Sequence, residues 1–119
     1  METIDIEILK SQWSLLLQKM AASLGEAPDL QGILFLIGVQ ELGKGNKNFS
    51  KDEKQDLMHI ATCKLLSFYG YYELEKKDEE GWPHYKLKTK LPKMSLKEQD
   101  ILLKQCVIEY FENNGIFEK

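Results

Sequence analysis

Three residues whose side chains could bind a metal or act as a nucleophile lie close together in one predicted helix. Asp56, His59 and Cys63 are spaced by three and four positions, so one helix face would present all three as half of a metal site. A complete site needs three or four convergent ligands, and di-iron bundles use a second carboxylate-x-x-histidine pair, which this sequence lacks. No Ser-His-acid or Cys-His catalytic set stands out. We therefore expect no metal, no cofactor and no catalytic residue.

The segment GVQELGKG, residues 38–45, comes close to the phosphate-binding loop G-x-x-x-x-G-K-[ST]. Its last position is Gly45, which has no hydroxyl group for magnesium. The sequence also offers no further strands for the parallel sheet that such a loop requires. We interpret the segment as the end of a buried helix at Gly43, followed by a loop.

The charge of the chain argues against nucleic acid as a partner. The formal net charge is −3, and all 16 basic residues are lysine. A chain without arginine lacks the planar, bidentate side chain that reads guanine and holds phosphate. We therefore expect no nucleic-acid partner.

Neither the apolar segments nor the first residues indicate a membrane or secreted protein. The longest apolar run, Ile33 to Val39, is too short to span a bilayer. The N-terminal segment has no basic n-region and no cleavage signature, which is unlike a signal peptide. Cys63 and Cys106 lie in apolar helical patterns, where thiols act as small hydrophobic side chains. We expect a cytoplasmic protein without membrane contact.

The first two predicted helices differ in how their apolar residues are distributed. Helix 1, roughly Ile4 to Leu24, has apolar residues every three or four positions and is followed by Gly25, a typical helix stop. Helix 2, about Asp29 to Leu42, is apolar nearly all round, which predicts a buried central helix. The apolar stripe of helix 1 consists of Ile6, Leu9, Trp13, Leu16, Met20 and Leu24.

Helices 3 and 4 are predicted from their start signals. Each begins with a capping box, in which a serine and a glutamate three residues later satisfy each other's backbone donors. The two boxes are Ser50 with Glu53, and Ser95 with Glu98. Gly70 and Gly115 are the predicted stops. The predicted inner faces are Leu57, Ile60, Ala61, Leu65 and Phe68 in helix 3, and Leu96, Leu102, Leu103, Val107, Tyr110 and Phe111 in helix 4.

Residues 71–91 alternate with a period of two, which predicts a β-hairpin. A turn at Glu80-Gly81 would place Leu74 opposite Leu87, and the second strand is predicted to extend from Tyr85 to Leu91. In the same register Glu75 and Glu73 would face Lys86 and Lys88. Because a two-stranded hairpin is marginal alone, we expect its apolar face to lie on the helices.

These elements predict a mainly α fold, α+β at the margin, with a hairpin at about 71–91 inserted between helices 3 and 4. We expect residues 1–119 to form a single helical domain, since the sequence contains no repeat, low-complexity segment or long linker.

The helix and hairpin of residues 50–92 resemble the second half of a winged helix-turn-helix. The resemblance implies a DNA-binding regulator with helix 3 as its recognition helix. Only one helix fits into this part of the chain, so the turn between two short helices is missing. The recognition face would also begin with Asp52, Glu53 and Asp56, which repel phosphate.

Two further segments, ELGKGNKNFSKDEKQDLMHI and EGWPHYK, resemble small bacterial cytosolic proteins without an assigned function. That resemblance implies a bacterial cytosolic origin. It implies no substrate, cofactor or partner.

The hairpin is the candidate contact surface. Exposed aromatic residues among charged ones are typical of interfaces. The candidate partner-binding residues are Tyr71 at the root, Trp82 near the tip, and His84, Lys86, Lys88 and Lys90 along one face. The alternative interpretation is that the aromatic residues clamp the hairpin onto the helices and the lysines are merely solvated.

The sequence favours a non-enzymatic protein-binding or adaptor domain, with a protein partner of unknown identity or with self-association. Two alternatives stay open. One is a winged-helix-like DNA-binding regulator, and the other is a small ligand-binding or enzymatic helical bundle.

Overall fold

A computed structural model describes residues 5–44 and 48–114 of the chain. Within these ranges the chain forms four helices and one two-stranded antiparallel hairpin, which lies between the third and fourth helices as predicted. The elements are α1 (Ile6–Leu24), α2 (Leu30–Leu42), α3 (Lys51–Ser67), β1 (Tyr72–Lys77), β2 (Pro83–Leu87) and α4 (Leu96–Asn114). The fold is therefore mainly α with a small β-hairpin, which confirms the predicted class.

The chain divides into two units. Unit 1 contains α1 and α4, and unit 2, Asp29–Lys93, contains α2, α3 and the hairpin. The single domain inferred from the sequence stays a prediction. None of the helices in the described ranges is both long and apolar enough to cross a membrane.

Both predicted capping boxes are present. The Glu53 backbone N–H donates to Ser50 Oγ at 3.1 Å, and the Ser50 N–H donates to Glu53 Oε1 at 2.9 Å. Ser95 and Glu98 repeat this pair of bonds with the same two distances. Helix 3 and helix 4 therefore begin at the predicted positions. The predicted helix 1 start at Ile4 and the helix 4 stop at Gly115 lie outside the described residues.

We expect Ser50→Ala and Ser95→Ala each to lower the free energy of unfolding by about 1 kcal/mol, because each leaves a helix N-terminal donor without its side-chain acceptor. Chemical denaturation of both variants measures this. Hydrogen bonds with the Ser95 backbone and side chain lower the pKa of Glu98. The ionised Glu98 carboxylate therefore stabilises the folded chain fully at pH values above the ordinary glutamate pKa. That stabilisation is lost as pH falls through the lowered value, so the cost of Ser95→Ala should shrink in acid. Unchanged midpoints in both variants would contradict the assignment of the caps.

In unit 1 the middle of the predicted apolar face of α1 and the C-terminal part of that of α4 are buried. Leu9, Leu16 and Met20 of α1 are buried, whereas Ile6 and Leu24 are exposed. In α4 the buried residues include Cys106, Val107, Tyr110 and Phe111. The prediction that Leu96 is buried is wrong: it is 83% exposed, because it is the first residue of the helix and precedes the covered part.

In unit 2, α2 packs closely on α3. No apolar side chain of α2 is exposed, which agrees with its predicted burial. The two backbones lie close together where Gly38 meets Leu57, since a Cβ atom at Gly38 would lie 2.7 Å from the Leu57 carbonyl carbon. On α3, Leu57, Ile60, Ala61 and Leu65 are buried as predicted, whereas Phe68 at the C-terminal end is exposed. The glycine in the supposed phosphate loop therefore serves helix packing.

The predicted hairpin register is wrong by two positions. Leu74 lies opposite Tyr85 rather than Leu87, and Leu87 lies opposite Tyr72. The turn residues place Lys77 opposite Pro83, and a bulge between Leu74 and Lys76 adds an unpaired residue to β1. The turn and the bulge together shift the partners of the first half of β1.

The second strand also ends earlier than predicted, at Leu87 rather than Leu91. The reason is at the base of the hairpin, where the backbone N–H groups of Lys88 and Thr89 both donate to the Tyr71 carbonyl oxygen, at 2.8 and 3.3 Å. One carbonyl group thus receives two successive donors. The regular ladder cannot continue past that point.

The apolar face of the hairpin is only partly covered, contrary to the prediction. Pro83 is buried and Tyr85 is half-buried, and both strands contact α3. Leu74 and Leu87 are 48% and 55% exposed. The helix therefore covers the tip-proximal part of this face and leaves both leucines accessible.

Candidate functional site

A cleft of about 470 Å³ lies between α3 and the tip of the hairpin, entirely within unit 2. It joins residues that are far apart in the sequence. Its lining consists of Glu53, Asp56, His59, Ile60 and Cys63 from α3, and Asp78, Glu80, Trp82, Pro83, His84 and Tyr85 from the hairpin. We call it the α3–hairpin cleft. It contains both histidines of the chain.

The hairpin tip is held by Asp78. Its Oδ1 atom accepts hydrogen bonds from the backbone N–H groups of Glu80 and Trp82, each at 3.0 Å. Its Oδ2 atom lies 3.0 Å from His84 Nε2. The hydrogen bond with His84, followed by the bond from the Trp82 backbone, lowers the pKa of Asp78. Asp78 is therefore an ionised residue that fixes the turn around which the cleft is built.

Trp82 forms one wall of the cleft and is fixed from behind. Its ring meets the Phe49 ring edge to face, with centroids 6.4 Å apart. Phe49 in turn meets Phe35 of α2 in the same geometry at 6.1 Å. Trp82 is half-buried and is connected to α2 through Phe49, while its remaining surface lines the cleft.

Tyr85 forms another part of the wall. Burial, followed by the nearby Glu41 carboxylate, raises the pKa of Tyr85 to about 12. The phenol is therefore protonated at neutral pH, and its hydroxyl group is a hydrogen-bond donor as well as an acceptor.

His59 and Cys63 meet on the α3 side, as their spacing predicted. Cys63 Sγ lies 3.5 Å from His59 Nε2. Burial raises the pKa of Cys63 to about 11, so the thiol stays protonated at neutral pH. Since the thiolate is both the nucleophile and the metal ligand, this environment disfavours both roles. Among the described residues, no group of three or more His, Cys, Asp or Glu side chains is placed to hold a metal ion.

The four carboxylates of the lining fall into two kinds. Glu53 is committed to the capping box and Asp78 to the turn. Asp56 and Glu80 are exposed, and within residues 5–44 and 48–114 neither side chain has a hydrogen-bond or ion-pair partner. Two negative charges are therefore available to a ligand.

The predicted contact residues are spread over several places on the hairpin. Trp82 and His84 line the cleft, and Tyr71 is half-buried at the root, where its carbonyl group closes the hairpin. Lys86 and Lys88 are exposed outside the cleft. Lys90 is exposed beyond the end of β2. The six residues therefore do not form one continuous site.

Lys86 of β2 and Lys88 directly after it are partly neutralised by Glu73 of β1. Lys86 Nζ lies 3.4 Å from Glu73 Oε1, and Lys88 Nζ lies 3.8 Å from Glu73 Oε2. Glu73 serves both lysines, whereas the sequence predicted that Glu75 would face Lys86. The bulge removes Glu75 from that pairing. The two lysines therefore share one carboxylate.

Sequence reasoning missed two features of this region. Leu74 and Leu87 form an accessible apolar pair, since diagonal partners on one hairpin face lie within reach of each other. In the sequence both leucines alternate with charged residues, as the residues of a buried hairpin face do. No sequence signal therefore marks them as exposed. The cleft was also missed, because only the folded hairpin brings Glu80 and Trp82 to Asp56.

No protein-family model, curated protein or solved structure matches the chain. We therefore infer function from the geometry of the hairpin and the cleft alone.

Proposed function

We propose that unit 2 is a non-enzymatic protein-binding module that uses the outer surface of the hairpin. The observation that carries the proposal is the exposure of Leu74 and Leu87, at 48% and 55%, on a strand pair that also bears a row of lysines. Exposed leucines cost free energy in water, and grouped apolar side chains with a charged surround are typical of interaction surfaces.

The charges favour an acidic partner. Lys86 and Lys88 outnumber Glu73, the carboxylate that both contact. A partner that offers an apolar side chain to the leucines and carboxylates to the lysines would match both faces of the hairpin. The bulge in β1 and Lys86 of β2 discourage the addition of another strand to either edge, so we expect recognition by side chains.

The DNA-binding alternative is less well supported. The order α2, α3, hairpin follows that of a winged helix-turn-helix, with α2 packed on α3. The surface between α3 and the hairpin carries Asp56, Asp78 and Glu80, however, and these would face the phosphates of a bound duplex. Protein binding is therefore the preferred function.

We infer a cytoplasmic location in a bacterial cell as part of this proposal. Cys63 and Cys106 are buried free thiols, and thiols stay reduced in that compartment. Burial raises the pKa of Cys106 to about 12, with a further contribution from Glu109, which keeps this thiol unreactive.

The double variant Leu74→Ser/Leu87→Ser should remain folded, because both side chains are half exposed, and should weaken partner binding by about 2 kcal/mol or more if the leucines are central to the interface. Affinity capture from the source cells, followed by titration of the captured protein, measures this. Sedimentation of the purified chain tests self-association.

Leu96→Ser is the matched control, since it makes the same change at an exposed leucine away from the hairpin. Lys86→Glu/Lys88→Glu tests the basic face separately. If both hairpin variants fold and keep the partners of the Leu96→Ser chain, the hairpin is structural. A salt-dependent shift of duplex DNA would instead favour the regulator.

A further inference from the structure

We propose that the α3–hairpin cleft binds an organic cation, an ammonium or guanidinium group, between the Asp56 and Glu80 carboxylates and beside the Trp82 ring. This site goes beyond the proposed protein-binding function. It uses neither Leu74 nor Leu87.

The cleft has the size and construction of a small-ligand site. Its volume of about 470 Å³ falls within the range of roughly 300–1,000 Å³ that is usual for such sites. Its walls come from two elements, and one of them is a turn fixed by Asp78 and by the packing of Trp82 on Phe49. The shape is thus determined by contacts that exist without a ligand, which reduces the ordering cost of binding.

The charge distribution favours a positive ligand. Four carboxylates line the cleft, and no lysine from the described part of the chain does. Lys44 lies near Gly81 of the turn, where a Cβ atom would be 3.9 Å from its Nζ, but it is not part of the lining. Asp56 and Glu80 have no partner among the described residues, so a cation would gain two attractive contacts without displacing an existing ion pair.

The aromatic lining adds a second source of affinity for the same kind of ligand. Trp82 is half-buried and lines the cleft, and an indole ring attracts a cation that lies over its face. The protonated Tyr85 and the two histidines provide polar atoms beside it. Carboxylates beside an aromatic ring suit an alkylammonium or guanidinium group, which carries both charge and apolar surface.

A metal ion fits this cleft poorly. A bound metal needs several ligand atoms within about 2–2.6 Å of one point. In the ranges that the structure describes, no three His, Cys, Asp or Glu side chains converge in that way. An organic cation is larger and makes its hydrogen bonds at separate points, so dispersed carboxylates can serve it.

The test measures binding of defined cations to the full-length protein. The probes are the N-acetyl, N-methylamide forms of lysine and arginine, spermidine, and the equally blocked norleucine, which lacks the charge. The readout is the Trp82 indole N–H signal in NMR, identified by its persistence in Trp13→Phe. We expect the three cations to shift this signal in a saturable way and norleucine to leave it unchanged.

The variants separate the site from general electrostatics. Asp56→Asn/Glu80→Gln should weaken cation binding roughly tenfold or more, because each neutralisation removes one close charge contact. Glu79→Gln neutralises one carboxylate of the same turn, outside the lining, and should bind as wild type. Leu74→Ser/Leu87→Ser should also bind cations normally, so failure of the protein-binding proposal would not affect this result.

Several outcomes would overturn the inference. These are the absence of saturable shifts with every cation, an equal shift with norleucine, and equal weakening by Glu79→Gln and the double variant. Stoichiometric Zn²⁺ binding without organic-cation binding would overturn it as well. A preference for the blocked amino acids over spermidine would identify the source as a protein side chain, and the reverse would identify a free polyamine; either supports the site.

Discussion

Gly38→Ala is expected to lower the free energy of unfolding by about 3 kcal/mol, as severe overpacking does. A Cβ atom added at position 38 would lie 2.7 Å from the carbonyl carbon of Leu57 and 2.9 Å from the Cβ atom of Leu57. The carbonyl oxygen of Leu57 would be closer still. The clash is with backbone, so no side-chain rotation relieves it. Helix α2 would have to move away from α3 and open the buried contact between them.

The sign of this effect is informative because helix propensity acts the other way. Alanine is favoured over glycine inside a helix by about 1 kcal/mol, so without the close contact the variant would be more stable than wild type. Urea denaturation followed by circular dichroism measures the difference. Gln40→Ala, at an exposed position of the same helix, is the control and should change stability by no more than about 0.5 kcal/mol. A stabilised Gly38→Ala chain would show that α2 and α3 do not cross at this glycine.

The helix starts could be predicted from the sequence because their signals are local. A capping box requires only a serine, a glutamate and the three-residue spacing between them, and both boxes form as expected. The same holds for the meeting of His59 and Cys63, which are one helical turn apart. Each of these predictions depends on the geometry of a single helix.

The hairpin register could not be predicted in the same way because it depends on two local irregularities. The Asp78 side chain closes the turn around Glu80, and the bulge beyond Leu74 then moves the strand by one residue. Alternation of apolar and polar residues is compatible with several registers. The sequence therefore predicts that a hairpin forms, and the turn and bulge decide which residues face each other.

The cleft could not be predicted because its two walls are separate in the sequence. Asp56 and His59 appeared as half of a metal site, and Trp82 and His84 as part of a different surface. Packing of the tip on Phe49 brings the four together. The structure thus changes the chemistry that these residues suggest, from a metal site and a displayed contact surface to one anionic cleft with an aromatic wall.

Phe49→Ala is expected to lower the free energy of unfolding by about 3 kcal/mol. This value is near the lower limit for truncation of a packed phenylalanine, because the Phe49 side chain is only half-buried. The ring is the link between α2 and the hairpin tip, through edge-to-face contacts with Phe35 on one side and Trp82 on the other. Each such contact contributes about 0.5–1.5 kcal/mol beyond the apolar area that it buries. Denaturation of Phe49→Ala measures the total.

Phe68→Ala is the matched control for this truncation. Phe68 is exposed at the end of α3, where Lys64 Nζ lies 5.9 Å from its ring centroid, so its loss should cost no more than about 1 kcal/mol. Phe49→Leu is the intermediate case, since it keeps most of the apolar volume and loses the ring. The order of stability should be wild type, Phe68→Ala, Phe49→Leu and Phe49→Ala.

Phe49→Ala also tests whether the cleft depends on packing of the hairpin tip against Phe49. In a Trp13→Phe background, Trp82 is the remaining tryptophan, and its emission should shift to the red in Phe49→Ala as the indole ring becomes hydrated. Cation binding should fall together with that shift, although Asp56, Glu80 and Trp82 are all still present. If emission and cation binding are unchanged while stability falls, Pro83 and Tyr85 on α3 suffice to hold the tip, and Phe49 contributes to stability without shaping the site.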